Sequence, residues 1–319
     1  MSDYRPSVSV CLPVYNGENY VHETIISILE QTFEDFELII SDNASTDRTE
    51  EICRDASGRD RRVRYFRANV NRGLVWNFNR LFELAGAPYL VWIGHDDMMG
   101  QEYLARCVGA LNQDSGAVLA YTNANYIDDK GSVIKQLDFE NPGSSVKPCV
   151  RFSNILYDRK CDPICGLMRT EVLKQTRLHQ GFADCDRVLL AEMGLRGRFS
   201  LVPEHIFSRR MHAEQSTTKY KDLRKRTVFY DPAKAGQLFF PVLLEHMALF
   251  SAIRRAKLPL GERLRCHKSL LRWLWDWHVW RHAEELREGV LSTIKRYLSE
   301  DQVRRLKAAK RRFSKAWFA

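Results

Sequence analysis

Short apolar runs alternate with helical stripes through the first two hundred residues. Ser7–Leu12 (SVSVCL) is a β-rich run stopped by Pro13. From Tyr20 to Glu30 the apolar residues Val21, Ile25, Ile28 and Leu29 recur at the spacing of one helix face. Phe36–Ser41 (FELIIS) predicts a second strand that ends in the polar loop Asp42-Asn43-Ala44-Ser45-Thr46. Asp47-Arg48-Thr49-Glu50 has the spacing of a capping box and predicts the start of the next helix. Val63–Phe66 and Tyr89–Gly94 predict a third and a fourth strand, buried by their Val, Ile and aromatic content. Between them, Leu74 to Ala85 carries Phe78, Leu81, Phe82 and Ala85 at helical spacing. Gly116–Thr122 predicts another strand, and Tyr126–Ile134 a hairpin through Asp129-Lys130-Gly131.

A β-α-β-α order predicts an α/β fold: a mainly parallel central sheet flanked by helices. Ligands of such sheets bind beyond the C-terminal strand ends, and the most polar loops of this chain sit there. After about Thr217 the character changes. Lys219 to Arg226 is basic and polar, suited to a mobile loop, and Leu238 to Ala319 is helical in pattern. Trp273, Trp277 and Trp280 fall at i, i+4 and i+7 on one aromatic face. Val303, Leu306, Phe313 and Trp317 mark an apolar stripe on a basic final helix. Two regions are expected, 1–220 and a helical extension over 221–319.

Composition narrows the class. A chain of 319 residues holds one large domain plus an appendage, at about 100–200 residues per domain. Its 45% hydrophobic and 28% charged residues are those of an ordinary globular protein. The polar start, Met1 to Pro6, has no basic segment leading into an apolar one. No uncharged apolar run reaches the roughly 18–20 residues of a membrane-spanning helix. A cytoplasmic protein is therefore expected. Eight cysteines are scattered singly; Cys161 and Cys165, the closest pair, fit neither a redox nor a zinc spacing, so all are read as small core residues. Net charge is +9, which calls for an anionic partner. Seven Lys or Arg and no acid lie between Gln302 and Ala319. Concentration of the charge in that tail, with acids at the strand ends, argues against a nucleic-acid groove.

Candidate chemistry lies at the strand ends. Gly94-His95-Asp96-Asp97 puts adjacent carboxylates after a buried strand. They repel each other and resist desolvation unless a cation or solvent compensates. A divalent metal does so while leaving sites for phosphate oxygens; a solvated turn capping the helix near Gln101 is the alternative. Pro13-Val14-Tyr15-Asn16 offers an aromatic face for stacking a base, and Asp42 an acceptor for a base N–H, although both stretches are also ordinary turn formers.

Taken together, Pro13-Val14-Tyr15-Asn16-Gly17, Asp42-Asn43-Ala44-Ser45-Thr46-Asp47, Asn71-Arg72-Gly73 and His95-Asp96-Asp97 resemble, in order and spacing, glycosyltransferase family 2 on the GT-A fold. The resemblance covers roughly residues 7–215. Asp186-Arg187-Val188-Leu189-Leu190-Ala191-Glu192 followed by Arg196-Gly197-Arg198-Phe199 is similar to that family's helix bearing the catalytic base, and Arg209-Arg210-Met211-His212 to its closing R-x-H segment.

This resemblance implies an inverting transfer of sugar from a nucleotide diphosphate donor, UDP or dTDP favoured, to a glycan or lipid-linked acceptor. By position, Pro13, Tyr15 and Asp42 hold the nucleoside, with Asn71 and Asn79 also at the donor. Asp97 ligates Mn²⁺ or Mg²⁺, Asp96 lies near the ribose or sugar, and His212 approaches the metal or diphosphate. Asp186 is the base, preferred over Asp184 because its ten-residue offset from Arg196 matches the family helix. One departure stands out: where the family often has Ala-Arg-Asn, this chain reads Asn77-Phe78-Asn79, leaving Arg72 or Arg80 to face the diphosphate. Acceptor contacts are expected in the loop Asp138–Lys160. For the tail two readings stay open: peripheral contact of residues 300–319 with the inner membrane face, or packing on its own domain or in a homodimer. A nucleotidyltransferase would show a basic Gly-rich loop after the first strand, and Val14-Tyr15-Asn16-Gly17 carries neither Lys nor Arg.

Overall fold

The computed structural model describes residues 5–277, apart from Arg159 and Glu214. Its first half is a run of βα units: β1 (Val8–Val14), α1 (Val21–Leu29), β2 (Phe36–Asp42), α2 (Thr49–Arg59), β3 (Val63–Arg67), α3 (Leu74–Leu84) and β4 (Tyr89–Trp92). A two-residue strand, β5 (Met98–Met99), precedes α4 (Tyr103–Gln113) and the long pair β6 (Ala117–Ile127) and β7 (Val133–Leu137). Then come α5 (Pro148–Tyr157), β8 (Leu167–Arg169), α6 (Thr170–Leu173), α7 (Cys185–Arg196) and β9 (Arg198–Arg210). Four helices follow: α8 (Ser216–Lys219), α9 (Leu223–Tyr230), α10 (Pro241–Arg255) and α11 (Leu260–Trp277).

Among the described residues nine strands form one sheet, in the order β3-β2-β1-β4-β8-β6-β9-β5 with β7 on β6. The first four are parallel; β8 enters antiparallel between β4 and β6, and β9 runs parallel to β6. Every residue of β1 and β2 is buried, which is why their sequences are mostly apolar instead of strictly alternating, with Ser9 and Glu37 hydrogen-bonded to each other. Their register aligns Val14 with Asp42, and Asp42 with Arg67, so the loops after β1, β2 and β3 emerge side by side.

Several expectations shift. Pro13 does not stop β1, which runs through it to Val14. Pairing with β4 ends at Cys11, so Pro13 lies where that side of the strand has no ladder to break. The hairpin through Asp129-Lys130-Gly131 is as expected, closed by the Asp128 carboxylate, which accepts the N–H groups of Lys130 and Ser132 at 2.9 Å each. Helix α2 starts with Asp47 accepting the Thr49 N–H at 3.0 Å, but Glu50 pairs forward with Arg54 rather than closing a capping box. Lys219–Arg226, expected as a mobile loop, contains the start of α9, with Asp222 capping the Lys225 N–H at 2.9 Å. The stretch 138–160 holds α5.

One apolar cluster lies between the sheet and α1, α2 and α4; the other joins the opposite face to α3, α5 and α7. Ala248, Leu249, Ile253, Cys266, Leu270 and Trp273 belong to this second cluster, so α10 and α11 share its core. Trp273 is buried, Trp277 is 45% exposed, and the pair does not form one buried face. Trp280, the stripe Val303, Leu306, Phe313 and Trp317, and the segment 300–319 lie outside the described residues. None of the described helices is long and apolar enough to cross a membrane.

Candidate active site

The first three strand-end loops are stitched into one platform. The Asn43 N–H donates to Val14 O and the Asn16 N–H to Ser45 Oγ, each at 2.9 Å, while Thr46 N–H reaches Asn16 Oδ1 at 2.9 Å. Asn43 then binds the third loop, donating from Nδ2 to Asn71 Oδ1 at 2.9 Å and accepting the Arg72 N–H at 3.0 Å. Asn71 Oδ1 also accepts the Gly73 N–H, holding that glycine at φ 90°, a backbone an L side chain rarely adopts. Pro13, Tyr15, Asp42 and Asn71 thus belong to one group of strand-end loops, with Pro13 and Asp42 buried beneath it. Tyr15 is exposed there. Asp42 has no exposed surface: its Oδ1 accepts the Ser45 N–H at 2.8 Å and its Oδ2 the Tyr65 hydroxyl at 2.7 Å. A base N–H can reach this carboxylate only by exchange with one of those bonds.

The acidic turn follows β4. A Cβ at Gly94 would meet Asp96 Oδ1 at 2.7 Å, so a larger residue there would push that carboxylate aside. Thr24 Oγ1 on α1 lies 2.8 Å from the carbonyls of both His95 and Asp97. Asp96 Oδ2 is 2.8 Å from His212 Nε2. Burial pushes the Asp96 carboxyl up, but the His212 bond and the His95 and His212 charges outweigh it and hold the group low. Asp97 goes the other way: burial, then the Asp96 charge, raise it against the pull of Arg209. Two carboxylates and an imidazole are ligand types that Mn²⁺ accepts. Among the described residues, however, the trio whose potential ligand atoms converge, within 4.8 Å of one another, is His179, Cys185 and Asp186.

Arg210, unremarked in sequence beyond its place before His212, is the staple of this turn. It is fully buried. Its N–H donates to Asp97 Oδ1 at 3.1 Å, Nε to Asp96 O at 3.0 Å, Nη2 to Glu23 at 2.6 Å, and Nη1 to the carbonyls of Asp128 and Asp129 at 3.0 Å.

On the far side stands Asp186, in the first turn of α7. His179 Nδ1 lies 3.2 Å from its Oδ1. Burial raises the Asp186 carboxyl, but the His179 bond and charge overcome that and leave it below its ordinary value. His179 is itself buried and stands edge-on to Phe78 and Trp92, ring centroids 4.8 and 5.0 Å away. Asn79 grips its backbone at both ends, donating to His179 O at 2.9 Å and accepting the His179 N–H at 3.2 Å. Asn79, expected at the donor, is therefore committed to His179. Phe78, where the family often has arginine, is one wall of the histidine's seat. Asp184, the alternative, pairs its carboxylate with Arg226 at 3.1 Å and is not part of the cleft lining that holds Asp186. The Cys185 thiol sits 3.8 Å from His179 Nδ1, and burial pushes it far up, keeping it a neutral neighbour.

Asp96, Asp97, His179 and Asp186 line one cleft of about 360 Å³, with Arg209, Lys160 and Tyr230 also on its walls. His212 reaches it only through Asp96, and Tyr15 and Asp42 lie on the platform instead of in this lining.

The comparisons with known proteins point the same way. Residues 9–175, more than half of the chain, match the family described as Glycosyl transferase family 2. An uncharacterized glycosyltransferase of Haemophilus influenzae is 32% identical over 130 residues, 41% of this chain and 52% of that protein. Chondroitin synthase of Escherichia coli is 24% identical over 232 residues, 70% of this chain and 32% of the synthase. The chain thus spans about half, or less, of the length of these relatives. In structure it is similar to S. aureus TarS 1–349 in complex with UDP-GlcNAc (TM-score 0.60, 16% identity, 85% of this chain and 73% of that one). It is also similar to the mannosyltransferase PcManGT from Pyrobaculum calidifontis in complex with GDP-Man and Mn²⁺ (TM-score 0.51, 17% identity, 92% and 81%). These likenesses establish the GT-A fold. With the family pattern spanning β1 to the end of α6, the chain belongs to glycosyltransferase family 2.

Proposed function

We propose that this chain is an inverting glycosyltransferase that moves a sugar from a nucleotide diphosphate donor to an acceptor hydroxyl in the synthesis of a cell-envelope polysaccharide or glycolipid. One observation supports the reading: the acid pair Asp96–Asp97 and the histidine-held Asp186 line a single cleft. Tyr15 stacks the base, Pro13 and Asn71 shape the platform, and Asp42 accepts a base N–H in exchange for the Tyr65 hydroxyl. UDP or dTDP suits that acceptor. Asp97, with Asp96 and His212 beside it, would hold Mn²⁺ or Mg²⁺, which would supply Lewis-acid stabilisation of charge on the leaving diphosphate.

The protein's own part is proton transfer and alignment. With Oδ1 of Asp186 engaged by His179, its other oxygen takes the proton of the acceptor hydroxyl as that oxygen attacks the anomeric carbon. One base and one displacement invert the anomeric centre. Arg209, paired with Asp162 at 2.8 Å, adds fixed positive charge to the cleft wall. Residues 1–220 carry this chemistry, and the helices beyond complete the acceptor side, the whole acting in the cytoplasm.

A donor panel of UDP-, dTDP- and GDP-sugars with Mn²⁺, scored by calorimetry and by slow release of nucleotide, tests the proposal. Metal-dependent binding of one class and its hydrolysis are expected. Failure of every donor to bind with metal present would overturn it.

A further inference from the structure

The basic stretch Lys219–Arg226 has no part in the chemistry above. Helix α9 turns two faces outward from it. One looks to the cleft: Tyr230 lines it, Arg226 pairs with Asp184, and Thr227 Oγ1 accepts the Ala183 N–H at 3.0 Å. The other, with Arg224, Lys225, Val228 and Phe229 at helical spacing, borders a separate cavity of about 610 Å³. The chain segment after α9 closes its far side with Lys234 and Phe239.

The lining pairs cations with aromatic faces. Tyr220 and Phe229 stack at 4.9 Å with rings 26° apart. The Arg224 guanidinium lies 5.9 Å over Phe239 and 5.8 Å over Phe240. Its Nη2 is buried and has no hydrogen-bond partner. Among the described residues Arg224 makes no ion pair, whereas Lys234 is held by Asp231 at 2.6 Å. Asp222, the other acid nearby, caps α9 through the Lys225 N–H. A buried guanidinium N–H left without an acceptor is costly, and a small swing of the Arg224 side chain off the phenylalanine rings into the cavity would let an anionic oxygen relieve it. Flat aromatic faces beside it match the apolar C–H face of a pyranose.

We infer that this cavity is a distal acceptor subsite for a sugar unit bearing an anionic oxygen group, a carboxylate or a phosphate, one or more residues away from the hydroxyl that reacts at Asp186. The inference rests on the transferase reading and names its substrate class. Its place in the fold suits that role: Phe229 faces the cavity while Tyr230, the next residue, faces the cleft, so an extended acceptor crosses α9 from one to the other. Arg224 supplies the charge-assisted hydrogen bond, Lys225 and Lys234 long-range attraction, and Tyr220 and Phe229 the stacking surface.

The test uses the full chain and three probes: maltotetraose, maltotetraose with a terminal phosphate, and a hyaluronan tetrasaccharide whose charge is carboxylate. Binding of at least one anionic probe well above the neutral one is expected, weakened about 10- to 100-fold in Arg224→Ala. Arg224→Lys should recover part of that loss, and Lys225→Glu should weaken binding in a salt-dependent way. Comparing the two anionic probes tells carboxylate from phosphate. Equal binding of neutral and charged probes, or affinity unchanged in both Arg224→Ala and Lys225→Glu, overturns the subsite. Binding of anionic lipid vesicles that Arg224→Ala abolishes, without binding of any saccharide, overturns it too. Titration of nucleotide sugars with Mn²⁺ on the same protein separates the two ideas. Loss of donor binding with saccharide selectivity intact sinks the transferase reading, and the reverse sinks the subsite.

Discussion

Replacing His179 with alanine is the sharpest probe of the site, because it separates holding the base from merely filling the core. The imidazole is 4% exposed and meets two aromatic edges, each worth about 0.5–1.5 kcal/mol. It also bonds a carboxylate that is 35% exposed, where solvent screening reduces the contribution to about 1 kcal/mol. His179→Ala should therefore lower stability by about 2–4 kcal/mol, most of it from packing. Turnover should change as well. Without the Nδ1 contact the carboxylate of Asp186 loses its fixed rotamer, and a loss of about 10- to 30-fold in kcat follows, with donor affinity kept.

The pH profile separates the two causes. In the intact protein His179 holds the Asp186 carboxyl low against its burial. Removing His179 takes away the two largest effects opposing burial and leaves only the Cys185 contact and the Arg226 charge, so the carboxyl moves up and the acid limb of kcat shifts to higher pH. The deficit should thus be largest in acid and shrink as pH rises. His179→Gln keeps a donor and should recover part of the rate. A variant with a lower melting temperature but unchanged kcat and acid limb would refute the positioning role and leave His179 a core residue.

Three further outcomes are expected. Asp186→Asn should lower kcat by about 10²-fold or more while calorimetry finds donor binding largely intact; near-normal turnover would remove it as the base. Asp97, pushed up to about 7 in the metal-free protein, must lose a proton to take a cation. Mn²⁺ affinity should rise about tenfold per pH unit from 5 to 7 and level off above, and vanish in Asp97→Ala; a flat profile would contradict this. Arg210→Met strands Glu23, two turn carbonyls and the Asp96 carbonyl, so the urea midpoint should fall by the equivalent of about 2–4 kcal/mol and Mn²⁺ should bind more weakly. An unchanged midpoint would mean the acidic turn holds itself.

Local signals carried the parallel half of the sheet. Buried parallel strands are continuous apolar runs, so β1, β2 and β4 were readable, and the loops after them followed. Strand β9 was not, beyond its ends. Its sequence RFSLVPEHIFSRR carries Pro203 and Glu204 mid-strand and half-buried residues throughout, and its ladder with β6 slips register around Asn123. No period of two survives that. The acid pair and Asp186 were found by motif, but His179 was not, since what gives it meaning is Asn79, one hundred positions away. Arg210 is similar: its partners lie on α1, the acidic turn and the β6–β7 turn, three places that only the folded chain brings together.

The departure at Phe78 now has a physical account that joins both ends of the site. Helix α3 uses consecutive residues for opposite ends of the cleft. Asn77 points to the platform, donating to Ser41 O at 2.8 Å at the end of β2, while Phe78 and Asn79 seat His179 and through it Asp186. An arginine at 78 would have to share the aromatic pocket that His179 occupies beside Trp92, and a buried guanidinium there would need its own partners. The positive charge lies instead at the helix flank, where Arg72 and Arg80 stack over Trp76 at 5.0 and 5.1 Å. Moving the cation outward frees the inner position to hold the base. The same helix then ties the loop after β2 to Asp186, and in the proposed transfer that link would set the spacing between donor and base.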